Sequence, residues 1–243
     1  MKVEVEKVSI ITNLKSLIHN KPWRLFALNI IWCFGGYAIE AGALIYYFTY
    51  VVGKAKLASL VATIWTLVPI ISNLLVPFIV KYTRKRNVMI LGASIQTVGL
   101  IILYFGGKNV PVLIAGAVIS AFGHGMKKSS HFAMQPDPVD YGEWKTGVNT
   151  SGTLSAVNGF IGKVGMAIAS SLGAALLAVG GFDAEATVQS ASAMNCITAM
   201  YIWIPIGTCV LTVITMLFYD LDKNHAMIIE ELNKRRAALH QEV

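Results

Sequence analysis

Residues Gln135–Gly147 read QPDPVDYGEWKTG. The stretch holds three carboxylates (Asp137, Asp140, Glu143), two prolines, a tryptophan and a lysine, while long runs of Ile, Leu, Val, Ala and Gly lie on both sides of it. Three roles are open for such a break: a catalytic centre, a metal site, or a polar connection between membrane spans. Apolar segments of about 20 residues are long enough to cross a hydrocarbon core of about 30 Å, so the flanks decide the fold class. They make the chain an all-α membrane protein, with this stretch as the loop between two of its helices.

Composition agrees. Of 243 residues, 55% are apolar and 14% charged, against about 25% charged in an average soluble domain. Six spans are predicted, at about 25–51, 57–80, 88–106, 110–134, 151–180 and 194–219. Besides the opening stretch, the breaks are GKAKLAS (53–59), KYTRKRN (81–87), GGKNVP (106–111) and GGFDAEATVQS (180–190). Each carries the glycine, proline, asparagine or charge that ends a helix. The three cysteines, Cys33, Cys196 and Cys209, lie inside apolar runs without metal-ligand spacing and read as packing thiols. The first 20 residues have no apolar core or small-residue cleavage site, so no signal peptide is expected.

Basic residues set the orientation. With both termini in the cytoplasm, sixteen of the 20 Lys and Arg fall in inside segments, three (Lys54, Lys56, Lys108) in outside loops, and Lys163 within the fifth span. Residues 1–24 then form a cytoplasmic segment, 25–220 the membrane bundle and 221–243 a cytoplasmic tail. Both ends read as amphipathic surface helices. The first has a cap at Thr12 or Asn13 and a stripe of Leu14, Leu17 and Ile18. The second starts at Asp222 and has Met227, Ile228 and Leu232.

An ionisable group inside a membrane costs about 2.5–3.5 kcal/mol on insertion scales, so each marks a candidate site. Lys163 lies near the middle of the fifth span. Ser155, Gly159 and Lys163 fall within an arc of roughly 80°, and Gly165, Ala169 and Gly173 form a ladder for close helix packing. Lys163 reads as a cation facing a water-filled cavity, or as the structural partner of a carboxylate. Glu40 shares a stripe of roughly 60° with Asn29, Gly36 and Tyr47 that should face the bundle interior; it reads as a proton or cation site, or as a structural partner. Pro69, Asn73 and Pro77 at spacing four read either as an interrupted second span or as simple tolerance of proline in a membrane helix. Lys127 and Lys128 are expected to snorkel. His124 and His131 lack companions at ligand spacing, so no metal site is expected. H-E-x-x-H, G-x-S-x-G and G-x-x-x-x-G-K-[ST] are missing, and the chain is not expected to be an enzyme.

DPVDYGEWKTG (137–147), preceded by AMQP, resembles the D-x-V-D-Y-G-E-W/Y-K-x-G signature of the glycoside–pentoside–hexuronide:cation symporters, the melibiose permease and glucuronide carrier relatives within the major facilitator superfamily. YYFTYVVG (46–53), GFIGKVG (159–165), GGF (180–182) and LDKNHAMIIEEL (221–232) agree with it. The resemblance runs from about Leu14 to the end. It implies twelve spans in two six-helix halves, of which this chain resembles the C-terminal half with the end of the central cytoplasmic loop.

The expected function is thus the C-terminal half of a sugar or glycoside symporter in the plasma (inner) membrane, working by alternating access. The resemblance implies a glycoside, pentoside or hexuronide substrate and a complementary N-terminal half. It implies Na⁺ or H⁺ as coupling cation, bound mainly by that other half, with no other cofactor and no nucleic-acid partner. Position by position, Lys163 matches an intramembrane lysine beside the sugar and cation site, and Asn158 a sugar-contacting polar position. Gly159 stands where a small hydroxyl residue can occur, and Lys128 where an aromatic sugar platform can occur. Glu40 joins this substrate group from its own stripe. Asp137, Asp140, Tyr141, Glu143 and Lys145 match the inner gate, opposite Arg84, Lys85 and Arg86 in the preceding inner loop; Asn149 stands where the signature often has an arginine. Two other readings stay open: a truncated, non-transporting membrane protein, and a six-span homodimeric channel or assembly protein.

Overall fold

The structure is a computed structural model that describes residues 18–147 and 151–241. The N-terminal amphipathic helix expected from Thr12 or Asn13, and Asn149, therefore lie outside the described residues. Helix α1 (Lys21–Tyr46) runs straight into a π-helical turn (Tyr47–Val51). It is followed by α2 (Ala55–Tyr82), α3 (Lys85–Gly106), α4 (Val110–Met134), the short α5 (Asp137–Thr146) and α6 (Ser151–Val179). Helix α7 (Ala191–Thr198) continues through a second π-helical turn (Ala199–Trp203) into α8 (Ile204–Leu217), and α9 (His225–Gln241) ends the described chain. Six of the helical stretches are long and apolar enough to cross a membrane. They fall where the apolar runs place them, and the chain is a multi-pass, all-α membrane protein.

The helix starts follow from local chemistry. The Asn20 side chain accepts the Trp23 N–H at 3.0 Å, with Pro22 in the first turn. Asn109 caps α4 with Pro111 behind it, and Ser190 Oγ accepts from Ala193 N–H at 3.1 Å to start α7.

Packing follows the small residues. Helices α3 and α4 meet backbone to backbone: a Cβ on Gly99 would lie 2.3 Å from the Ser120 nitrogen, and one on Gly123 would lie 2.3 Å from the Gln96 nitrogen. Of the two readings of the second span, the interruption does not occur. Helix α2 runs through both Pro69 and Pro77, and Pro69 seats against the bare backbone of Gly125, where a Cβ would lie 2.7 Å from the Pro69 Cα. The ladder Gly165–Ala169–Gly173 packs as expected, with Ala169 Cβ facing Gly35 on α1 and Gly173 facing Met200. The Asn29–Gly36–Glu40–Tyr47 stripe is buried along its whole length. Coverage is uneven: half of the α4 span is buried within the chain, but only 11% of α2 and 22% of α6. Those two helices carry most of the surface left for lipid or a partner.

At one end of the bundle the α1–α2 and α3–α4 turns meet, where Lys54 Nζ donates to the Lys108 carbonyl at 3.1 Å. At the other end the signature stretch is a helix, which corrects the loop expected there. Its charge pattern is helical, with Asp137 and Asp140 in the first turn, Lys145 in the last, and Pro138 near the start. Gly147, at φ 73°, closes it, its N–H donating to the Glu143 carbonyl at 2.8 Å.

The ionic partners also differ from the expected set. Lys85 does reach Asp137 (2.7 Å). Arg86 turns instead to Asp220 (3.1 Å) and the Tyr219 carbonyl (2.8 Å), and its backbone N–H donates to Asp222 (2.7 Å). Arg84 forms no ion pair among the described residues. The Lys145 ammonium lies over the Tyr141 ring at 5.3 Å. The other acids of α5 face α9: Asp140 meets His225 (3.0 Å), and both Glu143 oxygens accept from Arg236 Nη2 (2.8 Å each). Trp144 Nε1 donates to Glu231 at 2.8 Å and its carbonyl accepts from Arg235 at 3.0 Å. Ile228 and Leu232 are buried beneath this clasp, whereas Met227 is exposed, so the apolar stripe of α9 is narrower than expected.

The Trp144 N–H, with Arg235 beside it, holds the Glu231 carboxyl below the ordinary glutamate range. A depressed carboxyl contributes its stability above the unfolded-state value and loses it as pH falls through the folded-state value. Trypsin should therefore release the tail slowly at neutral pH and several-fold faster after Trp144→Phe with Arg236→Ala. Acidification below the ordinary glutamate range, assayed with an acid-stable protease, should reproduce the loosening. Equal release rates from variant and wild type would show that the clasp does not hold α9.

Candidate functional site

Between α1, α2 and α4, and closed at the back by Tyr201 of the second π-helical turn, lies a recess of about 540 Å³. Glu40, Trp65, Asn73, His124 and Lys128 are among its walls. A smaller recess of about 110 Å³ shares Tyr37, His124 and Lys128 with it and adds Cys33, Phe34, Lys127, His131 and Met166. The shared wall is aromatic. Tyr37 stacks on His124 with ring centres 5.3 Å apart, and Trp65 lies against the same imidazole at 4.9 Å. Flat aromatic rings offer a platform for the C–H face of a sugar ring.

The polar wall is built from three elements. Glu40 is 1% exposed; one of its oxygens accepts from Gln96 Nε2 of α3 at 3.0 Å, and the other is buried without a partner. The Tyr201 hydroxyl and Trp65 Nε1 are also buried without partners. Tyr201 is held by stacking on Tyr47 at 4.6 Å, so the two π-helical turns pack face to face. Such turns widen a helix by one residue and recur at functional sites.

Lys127 does not snorkel. It is 5% exposed and donates to Cys209 Sγ at 3.3 Å. It lies in helical register with Ser120, Gly123, Ser130 and Met134, all buried against the bundle. Lys128, one residue on and about 100° around the helix, is exposed on the recess wall and has no ion pair among the described residues.

Of the residues singled out in the sequence, the structure brings Glu40, Pro69, Asn73, His124 and Lys128 to one recess. Asn158 is buried, its Oδ1 accepting from Trp23 Nε1 at 3.1 Å, which ties α6 to the start of α1. Gly159 and Lys163 lie on the outward face of α6, with open space where a Gly159 Cβ would be. Pattern reading missed Tyr37, Trp65, Gln96 and Tyr201. Trp65 was within reach, since the Pro69–Asn73–Pro77 spacing of four extends back one step to it. Gln96 and Tyr201 have no such signal, because their roles come from packing against Glu40 and Tyr47.

The chain is thus a six-span membrane bundle with an aromatic and polar recess between α1, α2, α4 and the last span. Residues 2–223 match the family described as MFS/sugar transport protein, and the chain belongs to that family. It is 34% identical over 236 residues to the isoprimeverose transporter of Lactiplantibacillus pentosus, covering 96% of this chain and 48% of that protein. It is 30% identical to a putative sulfoquinovose importer of Escherichia coli strain K12 (95% and 50%) and 27% identical to a glucuronide carrier protein homolog of the same strain (98% and 52%). The chain spans about half the length of these curated relatives.

Proposed function

We propose that the chain forms one six-helix half of a cation-coupled sugar or glycoside symporter and that its recess is this half's share of the substrate site. The observation that carries the reading is the wall of Tyr37, Trp65 and His124 set beside Glu40, Asn73 and Lys128. Aromatic faces take the apolar face of a sugar ring while a few convergent polar groups take its hydroxyls. Lys128 supplies a cation at the register where an aromatic platform can occur, and stacking falls to the Trp65 cluster. Lys163, on the uncovered face of α6, adds a second cation where a complementary half would close the cavity. The names of the relatives, which speak of isoprimeverose, sulfoquinovose and a glucuronide, support a glycoside or hexuronide substrate. The basic end of the bundle, with its α5–α9 clasp, is assigned to the cytoplasmic face of the inner membrane on the distribution of Lys and Arg. The clasp then serves as the part of the inner gate that stays with this half. Its pairs lie at the surface, where solvent screening keeps each of them weak enough to reopen.

The test is uptake into vesicles after co-expression with the N-terminal six spans of the isoprimeverose transporter, using labelled isoprimeverose. Trp65→Ala should weaken apparent affinity about tenfold, about 1.4 kcal/mol, with normal membrane insertion. Lys163→Ala should abolish binding. Uptake by this chain alone would replace the two-half reading with a homodimer. Unchanged affinity in Trp65→Ala would remove the recess from the substrate path, and unchanged affinity in Lys163→Ala would remove Lys163 from the site.

A further inference from the structure

We infer that Glu40 is a proton-binding site belonging to this bundle, with proton occupancy linked to occupancy of the recess. The inference rests on the proposed transport reading for its linkage, but the proton site itself does not need it.

Glu40 is the carboxylate on the recess wall, and it lies on a helix that crosses the membrane. Its Oε2 accepts one hydrogen bond, from Gln96, and its Oε1 is buried with none. No cation lies within ion-pair distance of it among the described residues; the nearby ammonium of Lys127 spends its contact on the thiol of Cys209. A carboxylate in that state is under-compensated, and a low-dielectric interior makes the remedy specific: one proton converts it to a neutral acid.

Gln96 Oε1 and the Tyr201 hydroxyl oxygen are both buried and unpartnered. From α4, Glu40 is faced by His124, Lys127 and Lys128, and from the last span by Tyr201 and Cys209. Its own helix adds Tyr37 and Tyr47, while α2 and α3 present Trp65, Thr66 and Gln96, none of which titrates. A metal ion needs a shell of several oxygens. A proton needs a single acceptor atom.

The step balances simply. A proton from water adds to Oε1, and the carboxylate becomes a carboxylic acid. The site's charge rises by one, and the same proton leaves when the recess opens to the other side. Glu40 stands behind the recess wall with its free oxygen buried, so a sugar seated in the recess changes the surroundings of the same carboxyl. That proximity links the two occupancies.

The experiment is infrared difference spectroscopy of the purified full chain in lipid nanodiscs as pH is stepped. A carboxylic-acid carbonyl band should appear on acidification, vanish in Glu40→Gln and persist, shifted, in Glu40→Asp. Lys127→Met should make proton binding roughly tenfold tighter by removing the neighbouring cation. A band unchanged in Glu40→Gln overturns the proton site, and a band erased by Na⁺ at constant pH assigns the carboxylate to the metal cation instead. In the co-expressed pair, Glu40→Gln should lose uphill accumulation but keep sugar exchange; loss of both makes Glu40 a sugar contact and overturns the linkage. Wild-type pairs without uptake would defeat the transport reading while leaving the titration of Glu40 intact.

Discussion

Gly123→Leu should leave no folded protein to purify. The nearest atoms to a Cβ at that position are the Gln96 nitrogen at 2.3 Å, the Gly92 carbonyl oxygen at 2.5 Å and the Gln96 Cα at 2.9 Å, all of them backbone. Overpacking costs about 1–3 kcal/mol when side chains can move aside. Backbone cannot, so α3 and α4 must separate along their whole contact, and Gln96 is carried off Glu40 as they do. Size-exclusion chromatography of the detergent extract should show aggregate in place of the wild-type peak. Gly42→Leu is the control, because a Cβ there meets nothing within 4 Å. A monodisperse peak for Gly123→Leu would mean that the α3–α4 contact is not the one described.

Lys85→Met should be the most damaging change at the clasped end. Asp137 is 1% exposed, and Lys85 is its close cation at 2.7 Å; His225 stands farther off at 3.6 Å. Removing one member of a buried ion pair costs about 3–5 kcal/mol, because the remaining charge is stranded. Lys85 is 26% exposed, which places the expected loss near about 3 kcal/mol, with a fall in Tm on the order of 10 °C. Asp137→Asn in the same chain should recover most of it by removing the stranded charge. A double variant no more stable than Lys85→Met would show that the pair is not coupled.

The opening stretch shows where pattern reading succeeds and where it stops. Its residues identify the family, and its composition marks a break between spans. Its helix went unread because proline, glycine and three acids look like loop chemistry when taken one by one. Placed in order, the same residues are an N-terminal proline, acids in the first turn, a lysine in the last and a glycine cap, which is a helix pattern. The partners of its acids were beyond reach. Glu143 pairs with Arg236 across 93 positions and Asp140 with His225 across 85, whereas the neighbouring basic loop looked like the obvious counterpart. For Lys127 and Lys128 the residue types predict snorkelling for both. Only the register of α4 separates a lysine bonded to Cys209 inside the bundle from one on the recess wall.

The sequence by itself determined the six spans, their all-helical character and the family. Hydropathy is a property of each segment against its solvent, and a bilayer asks nothing of a helix but length and apolar surface. It also placed the Glu40 stripe toward the interior, because helical periodicity is local. The tertiary structure decided what that stripe meets. Gln96 reaches Glu40 because α3 and α4 come within backbone contact at their glycines, and Tyr201 closes the recess because two π-helical turns pack on each other. Those are properties of pairs of helices distant in the chain, and no single segment contains them.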